Sequence, residues 1–212
     1  VGSEMCIRDS NDAPTVANAI SDQTLAEDSA LNFQFASDVF SDVDAGDSLT
    51  YTATLADGSA LPSWLSFDAA SRTFSGTPQN GDVGAIDVKV TATDGSSATA
   101  TDTFRITVTN TNDAPTVANA ISDQTIAEDS ALSFQFASDV FSDADAGDSL
   151  TYTATLADGN TLPSWLSFDA ASRTFSGTPL NGDVGAIDVK VTATDGSSCL
   201  LYTSPSPRDG DE

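Results

Sequence analysis

The sequence predicts an all-β chain of two tandem Greek-key β-sandwiches, about seven strands each. Two observations carry this expectation. Residues 11–97 recur as residues 112–198 at an offset of 101, with six differences in 87 aligned positions: Leu25/Ile126, Asn32/Ser133, Val43/Ala144, Ser59/Asn160, Ala60/Thr161 and Gln79/Leu180. Units of about a hundred residues are domain-sized, whereas a solenoid repeat is shorter and cannot bury a core alone, so each copy is expected to fold by itself. Helical periodicity is nearly absent, and apolar residues alternate with polar ones at period two, as in strands with one buried face.

Within the first copy, Leu31, Phe33 and Phe35 alternate with Asn32 and Gln34, and Leu49, Tyr51, Ala53 and Leu55 alternate with Thr50, Thr52 and Thr54. Shorter strands are expected around Trp64 to Phe67 and Arg72 to Phe74. Ile86, Val88, Val90 and Ala92 form the next alternating run, and Phe104, Ile106 and Val108 the last, within Ala98 to Val108. Turn clusters separate them at Asp42 to Ser48, Asp57-Gly58, Asp68 to Ser71, Ser75 to Pro78 and Asp94-Gly95. This is the strand arithmetic of an immunoglobulin-like sandwich without the cysteine pair of antibody domains.

The ends break the pattern. One stretch of DNA encoding Cys199 to Asp209 gives, in the third frame of its reverse complement, a leucine followed by Val1 to Asp9. It resembles the end sequence of transposase-based sequencing libraries. The organisation expected is therefore a non-native tail at 1–10, one repeat at 11–111, a second at 112–198, and a non-native tail at 199–212. On this reading Met5 is no initiator, Cys6 and Cys199 form no disulfide, and both ends of the gene product lie beyond the chain. The second copy then lacks its last strand. At the 101 offset, Cys199 to Tyr202 fall where Ala98 to Thr101 would be, and their β-prone character lets a few residues pair before Pro205 and Pro207 stop the ladder.

The whole chain carries a net charge of −25. Residues 11–198 hold 25 Asp and 2 Glu against Arg72, Lys89, Arg105, Arg173 and Lys190, a net of −22 from 27 acidic and 5 basic groups. So acidic a surface repels nucleic acid and anionic lipid. The preference for Asp over Glu suits turns and compact oxygen cages, with calcium the natural counter-ion. Without cysteine or histidine in 11–198, thiolate zinc sites, thiol catalysis and the usual imidazole base are excluded there. No apolar run approaches the roughly 20 residues of a membrane helix.

Three sequence-distant features supply oxygen ligands: Glu27-Asp28, the run Asp42-Val43-Asp44-Ala45-Gly46-Asp47 with Asp143, Asp145 and Asp148 as its second copy, and Asp94 with Asp195. The connecting segment adds Asn110, Asn112 and Asp113. Calcium takes six to eight oxygens, and the loops at one pole of a sandwich bring several strands' ends together. The order of these features resembles the cadherin pattern: an acidic x-Glu-x, a linker Asn110-Thr111-Asn112-Asp113-Ala114-Pro115, then Asp-x-Asp and a late Asp-Gly in the next domain. The segments Leu61-Pro62-Ser63-Trp64-Leu65-Ser66-Phe67-Asp68, Phe74 to Pro78 and Val90 to Gly95 are similar to the dystroglycan-type cadherin-like repeats, overlapping an immunoglobulin-like family, of large bacterial surface adhesins. The resemblance covers 188 of 212 residues. It implies an extracellular or cell-surface location and calcium held at the junction by Glu27, Asn110, Asn112, Asp113, Asp143, Asp145 and Asp195. It also implies that neighbouring repeats of the same chain are the partners. The cadherin Asp-Arg-Glu motif has no counterpart, since this region reads Asp68-Ala69-Ala70-Ser71-Arg72, which implies fewer ions per junction or looser binding.

Other chemistry fails on the residues. Counting twelve from Asp42 lands on Ala53 where an EF-hand needs Glu, and no glycine-rich nonapeptide occurs. A bare Asp-x-Asp without an α/β pattern is no sugar-nucleotide transferase. Ser75-Gly76 lacks the flanks of a nucleophile elbow and a histidine to serve it, so no enzyme is expected. The function expected is a calcium-binding structural spacer. The alternative is an adhesion module binding a host or matrix glycan or protein through repeat avidity, with Trp64 and Trp165 as aromatic platforms; their burial discriminates the two.

Overall fold

The structure, a computed structural model, describes residues 11–44, 46, 48–197 and 200–203. The readings made for Met5, Cys6, Asp47, Cys199, Pro205 and Pro207 lie outside the described residues. The chain divides into two units between Thr111 and Asn112.

In the first domain the alternating runs become β1 (Thr15–Val16), β2 (Gln23–Ala26), β3 (Leu31–Gln34), β4 (Phe40–Ser41), β5 (Thr50–Leu55), β6 (Leu65–Asp68), β7 (Thr73–Gly76), β8 (Gly84–Thr93) and β9 (Thr99–Thr109). One sheet has the order β2-β9-β8-β5, the other β3-β7-β6, and β1 pairs with β4 apart from both. All pairings are antiparallel except that of β2 with β9. The hairpins β6–β7 and β8–β9 stay within one sheet each, while β2 to β3, β5 to β6 and β7 to β8 cross between the sheets, as in a Greek-key sandwich.

The core lies between the two inner faces. Val88, Val90 and Ala92 from β8 and Phe104 and Ile106 from β9 are fully buried, and face Phe74 and Leu65 from the other sheet. Aromatic rings bridge the gap: Phe74 meets Phe104 edge-on at 5.3 Å between centroids, Phe33 meets Phe104 at 5.7 Å, and Phe67 stacks on Phe74 at 4.5 Å. Such pairs add about 0.5–1.5 kcal/mol each beyond the area they bury. Trp64 packs against this core partly buried.

One glycine has a steric reason. A Cβ on Gly76 would strike the Trp64 carbonyl oxygen across the β6–β7 pairing, and one on Gly177 would strike Trp165 in the same way. Backbone on both sides leaves no flexible side chain to yield.

The second domain repeats the plan with β10 (Thr116–Val117), β11 (Leu132–Gln135), β12 (Phe141–Ser142), β13 (Thr151–Leu156), β14 (Leu166–Asp169), β15 (Thr174–Gly177), β16 (Val189–Thr194) and β17 (Leu200–Thr203). Its sheets are β11-β15-β14 and β13-β16-β17. Structure thus runs past Ser198, where the repeat ends. β17 pairs with β16 through Thr194↔Leu200, Ala193↔Leu201, Thr192↔Tyr202 and Val191↔Thr203, the register of Thr93↔Thr99 through Val90↔Asp102 in the first domain. Four residues replace the first part of an eleven-residue strand.

The effects of the shorter strand are local. β8 begins at Gly84 whereas β16 begins only at Val189, four residues short of the equivalent start. Residues 124–127, equivalent to β2, form no strand. Phe175 is 6% exposed where Phe74 is sealed, and Ile187 stands 42% exposed.

We predict that amide hydrogen exchange will be faster across Ile187 to Ala193 than across Ile86 to Ala92, and that the second domain will unfold at lower denaturant. Equal protection would show that the C-terminal half of β9 matters less than its contacts suggest. Gly76→Ala is expected to destabilise the first domain by about 1–3 kcal/mol through overpacking, with Gly177→Ala acting likewise on the second; urea titration of each variant measures it.

Candidate metal centre

The two short pairings outside the main sheets decide where the acidic groups go. In the second domain β10 runs beside β12 through Thr116↔Ser142 and Val117↔Phe141. This carries Asn112-Asp113, just before β10, alongside the acidic loop that follows β12. The Asp113 backbone N–H donates to Asp145 Oδ2 at 2.7 Å, and the Asp145 N–H donates to Asp143 Oδ1 at 2.9 Å. From the turn between β16 and β17, Asp195 Oδ1 accepts the Ser197 N–H at 2.9 Å while its Oδ2 accepts the Asn112 amide at 2.9 Å. Five of the seven residues expected to hold calcium, Asn112, Asp113, Asp143, Asp145 and Asp195, therefore form one connected group within the second domain.

One further residue, Asp148, named among the oxygen-bearing features of the sequence but not among the seven expected to hold calcium, joins this group. Asp143, Asp148 and Asp195 offer carboxylate oxygens that all lie within 4.8 Å of one another. Asp148 returns to the cluster because Gly147 adopts φ +103° and the Asp148 N–H closes a turn on the Asp145 carbonyl oxygen at 3.2 Å. The signal was present as Gly-Asp after Asp-x-Asp, but the number of turn residues needed to double the chain back is a tertiary matter. Partial desolvation in this loop raises the Asp148 carboxyl above its ordinary pKa even though the residue is exposed overall; Asp143, Asp145 and Asp195 add to the shift by like-charge repulsion.

The distribution of hydrogen bonds is uneven. Asp145 is buried, yet its Oδ1 has no hydrogen-bond partner, and neither does the buried Oδ2 of Asp143. Leaving a buried acceptor without a donor costs about 1–3 kcal/mol, and more for a charged group. Backbone N–H groups thus fix one oxygen of these carboxylates and leave another aimed into a region of negative charge. A divalent cation with oxygen preference fits this donor set: hard carboxylate ligands, no thiolate, no imidazole.

The first domain builds the same network. Asp12 N–H donates to Asp44 Oδ2 at 2.7 Å, Asp44 N–H to Asp42 Oδ1 at 2.9 Å, and the Asn11 amide to Asp94 Oδ2 at 2.9 Å. The Asn11 hydrogen bond, with further N–H groups of Ala98 and Ser96, holds the Asp94 carboxyl below the usual carboxylate range. Asp42 Oδ2 is buried and without a partner, as is its counterpart on Asp143.

Glu27 and Asn110 belong to the first domain. Glu27, at the end of β2, is only 2% exposed. Its N–H donates to the Thr109 carbonyl oxygen at 3.0 Å, Asp28 takes the left-handed conformation at φ +56°, and Glu27 Oε1 accepts the Thr111 N–H at 2.7 Å. Its Oε2 is buried without a partner. Asn110 is exposed.

With this geometry in view the relationships are clear. The family described as putative Ig domain matches residues 13–109 and 114–205, and the chain belongs to that family. The serine-rich adhesin for platelets of Staphylococcus aureus (strain USA300) is 35% identical over 144 residues, 68% of this chain and 6% of that protein. The homologous adhesin of strain MRSA252 shows the same identity and span over 10% of its length. The chain therefore spans a tenth or less of these curated relatives. Among solved structures, mouse cadherin-23 EC22-24 superposes with a TM-score of 0.61 at 17% identity, over 91% of this chain and 62% of that one. The protocadherin gammaB4 extracellular domain does so with a TM-score of 0.54 at 20% identity, over 91% and 34%. At such identities the cadherin likeness is one of fold. The two domains are Ig-like, cadherin-like repeats of adhesin type, which places them at the cell surface or outside the cell.

Because Asp148 ionises against three carboxylates, Asp148→Asn is expected to raise the melting temperature of the second domain at neutral pH in chelator. The sign with pH follows from its raised folded pKa. Between the ordinary carboxylate pKa and the folded value, the folded state binds more protons than the unfolded, so stability falls as pH rises through that window. The advantage of the variant over the parent should therefore shrink as pH drops through it. Thermal melts from pH 7 down to about 4 compare the two proteins, and an advantage independent of pH would sink this assignment.

Proposed function

We propose that these repeats are calcium-binding, non-enzymatic spacers of a large surface adhesin, with ions stiffening the connection between consecutive domains. The observation that carries the proposal is the set of buried carboxylate oxygens without donors: Glu27 Oε2 in the first domain, and Asp143 Oδ2 and Asp145 Oδ1 in the second. They belong to residues that the order of motifs in the sequence also picks out. Glu27 accepts from Thr111, and the next residue in the chain, Asn112, holds Asp195. Cation binding would satisfy the orphaned oxygens and relieve repulsion among the neighbouring carboxylates. The full set proposed is Glu27, Asn110, Asn112, Asp113, Asp143, Asp145 and Asp195, joined by Asp148.

Recognition of a glycan or protein by repeat avidity is the second reading, and the adhesin relationship supports it. The aromatic side chains do not. Phe74 is fully buried, Trp64 and Phe67 pack partly buried against the core, and Trp165 and Phe168 do the same in the second domain. Among the described residues the exposed large apolar side chains are Val, Leu and Ile.

Thermal unfolding in calcium and in chelator at matched ionic strength tests the proposal, because salt screening of the acidic surface alone would act in both arms. A site filled to about a hundred times its Kd adds about 2.7 kcal/mol. We expect calcium to raise the melting temperature, and Asp145→Asn or Asp195→Asn to remove most of the rise. Identical melting temperatures with and without calcium would end the calcium reading.

A further inference from the structure

We propose that the second domain accepts, in trans, an extended segment with the sequence of Thr103–Thr111, docked along β16. The two domains form an internal control, since they share all but six of 87 aligned residues. In the first domain β9 lies between β8 and β2: Lys89↔Thr103, Val88↔Phe104, Asp87↔Arg105, Ile86↔Ile106, Ala85↔Thr107 and Gly84↔Val108 on one side, Gln23↔Ile106 through Ala26↔Thr109 on the other. Every acceptor residue in that list recurs in the second domain, Gly185 to Lys190 and Gln124 to Ala127, apart from the change of Leu25 to Ile126.

What differs is the strand that should lie between them. β17 holds the register of β9 as far as Thr203, the counterpart of Asp102. The counterparts of Phe104 and Ile106 are Pro205 and Pro207. Proline has no N–H to give a ladder and no side chain to fill the space of a ring or a branched chain.

Four observations mark the place left. Residues 185–188 are in no strand, although 84–87 are. Residues 124–127 are in no strand, although 23–26 are. Ile187 is 42% exposed, and Glu128 is exposed where Glu27 is sealed. All four sit on the part of the sheet that the C-terminal half of β9 covers in the first domain, while β13 and the paired part of β16 match their counterparts residue for residue. Among the described residues these changes gather on one strand-wide slot.

The occupant is defined by chemistry as well as by length. Phe104, Ile106 and Val108 alternate inward with Thr103, Arg105 and Thr107 outward. In the first domain Arg105 pairs with Asp87 at 2.8 and 3.1 Å, and Asp188 stands at the equivalent position, so the charge fixes register as well as direction. The segment must reach Thr111 to complete the end of the slot. The Thr109 carbonyl oxygen and the Thr111 N–H hold Glu27, and the same two groups would fold Glu128 inward. Strand addition of this kind draws affinity from main-chain hydrogen bonds and specificity from alternate side-chain pockets. The inference does not depend on the calcium reading.

The probe is a synthetic peptide of residues Thr103–Thr111 added to the full chain in fixed chelator, with hydrogen exchange as readout. Protection at Gly185–Val189 is expected to rise about tenfold or more, and the Glu128 amide should slow with it. A peptide ending at Val108 should protect Gly185–Val189 but not Glu128. A peptide carrying Phe104→Asp and Ile106→Asp should protect neither. No added protection at about 1 mM peptide, or equal protection by the doubly substituted peptide, overturns the proposal. So does protection of Gly185–Val189 that grows with protein concentration alone while Thr99–Thr109 keeps its own, because another face of a second copy would then cover the edge.

Discussion

Strand β9 is the element on which the first domain depends. It contributes Phe104, Ile106 and Val108 to the core, pairs with β8 over ten residues, and gives β2 its ladder. It also closes the cradle of Glu27 with Thr109 and Thr111. One strand thus joins core packing, sheet closure and the placement of a buried carboxylate. Among the described residues of the second domain its first four positions are present as β17, and these three properties weaken together. Sequences that are otherwise nearly identical make this a comparison of cause with effect: β16 keeps its full ladder to β13, while residues 185–188, whose counterparts 84–87 pair with β9, are in no strand.

The acidic poles show a second constraint. Carboxylates that repel one another are held in place by backbone N–H groups donated in sequence, Asp113 to Asp145 and Asp145 to Asp143, with the Asn112 amide on Asp195. Main-chain donors can do this because the Asp side chain is short enough to accept from a residue two positions on, as Asp143 does from Asp145. Glu would reach past that N–H. The composition of 25 Asp to 2 Glu in residues 11–198 therefore has a local cause. Many of these Asp are turn formers of this kind: Asp68 accepts from Ala70 N–H and the Ser71 hydroxyl, and Asp57 from Ser59. The carboxylates that stand apart are those with a second, buried oxygen left over.

The aromatic residues have a structural explanation. Phe67 stacks on Phe74, Phe74 meets Phe104, and Trp64 lies over the edge of that group, its carbonyl oxygen against Gly76. Aromatic surface is used to join two thin sheets, so the exposed faces are left to Thr, Ser and Asp.

By itself, the sequence determined the duplication, the all-β class, the main alternating strands and the residues from which an oxygen-rich site is made, because period-two burial and turn chemistry act over a few residues and leave a local record. The DxD run, the Asn-Asp pair before Pro115 and the late Asp-Gly were all legible as oxygen-rich segments for that reason. Only the tertiary structure decided which of their oxygens are engaged and which are left over, that Asp148 folds back among Asp143 and Asp195, and that Glu27 is sealed while Glu128 is open. The sealing of Glu27 and the hold of Asn112 on Asp195 rest on pairings between residues 83 or 84 positions apart, with Gln23 paired to Ile106 and Glu27 to Thr111. Ladders of that span depend on the whole sheet being present, and no local pattern in the chain records them.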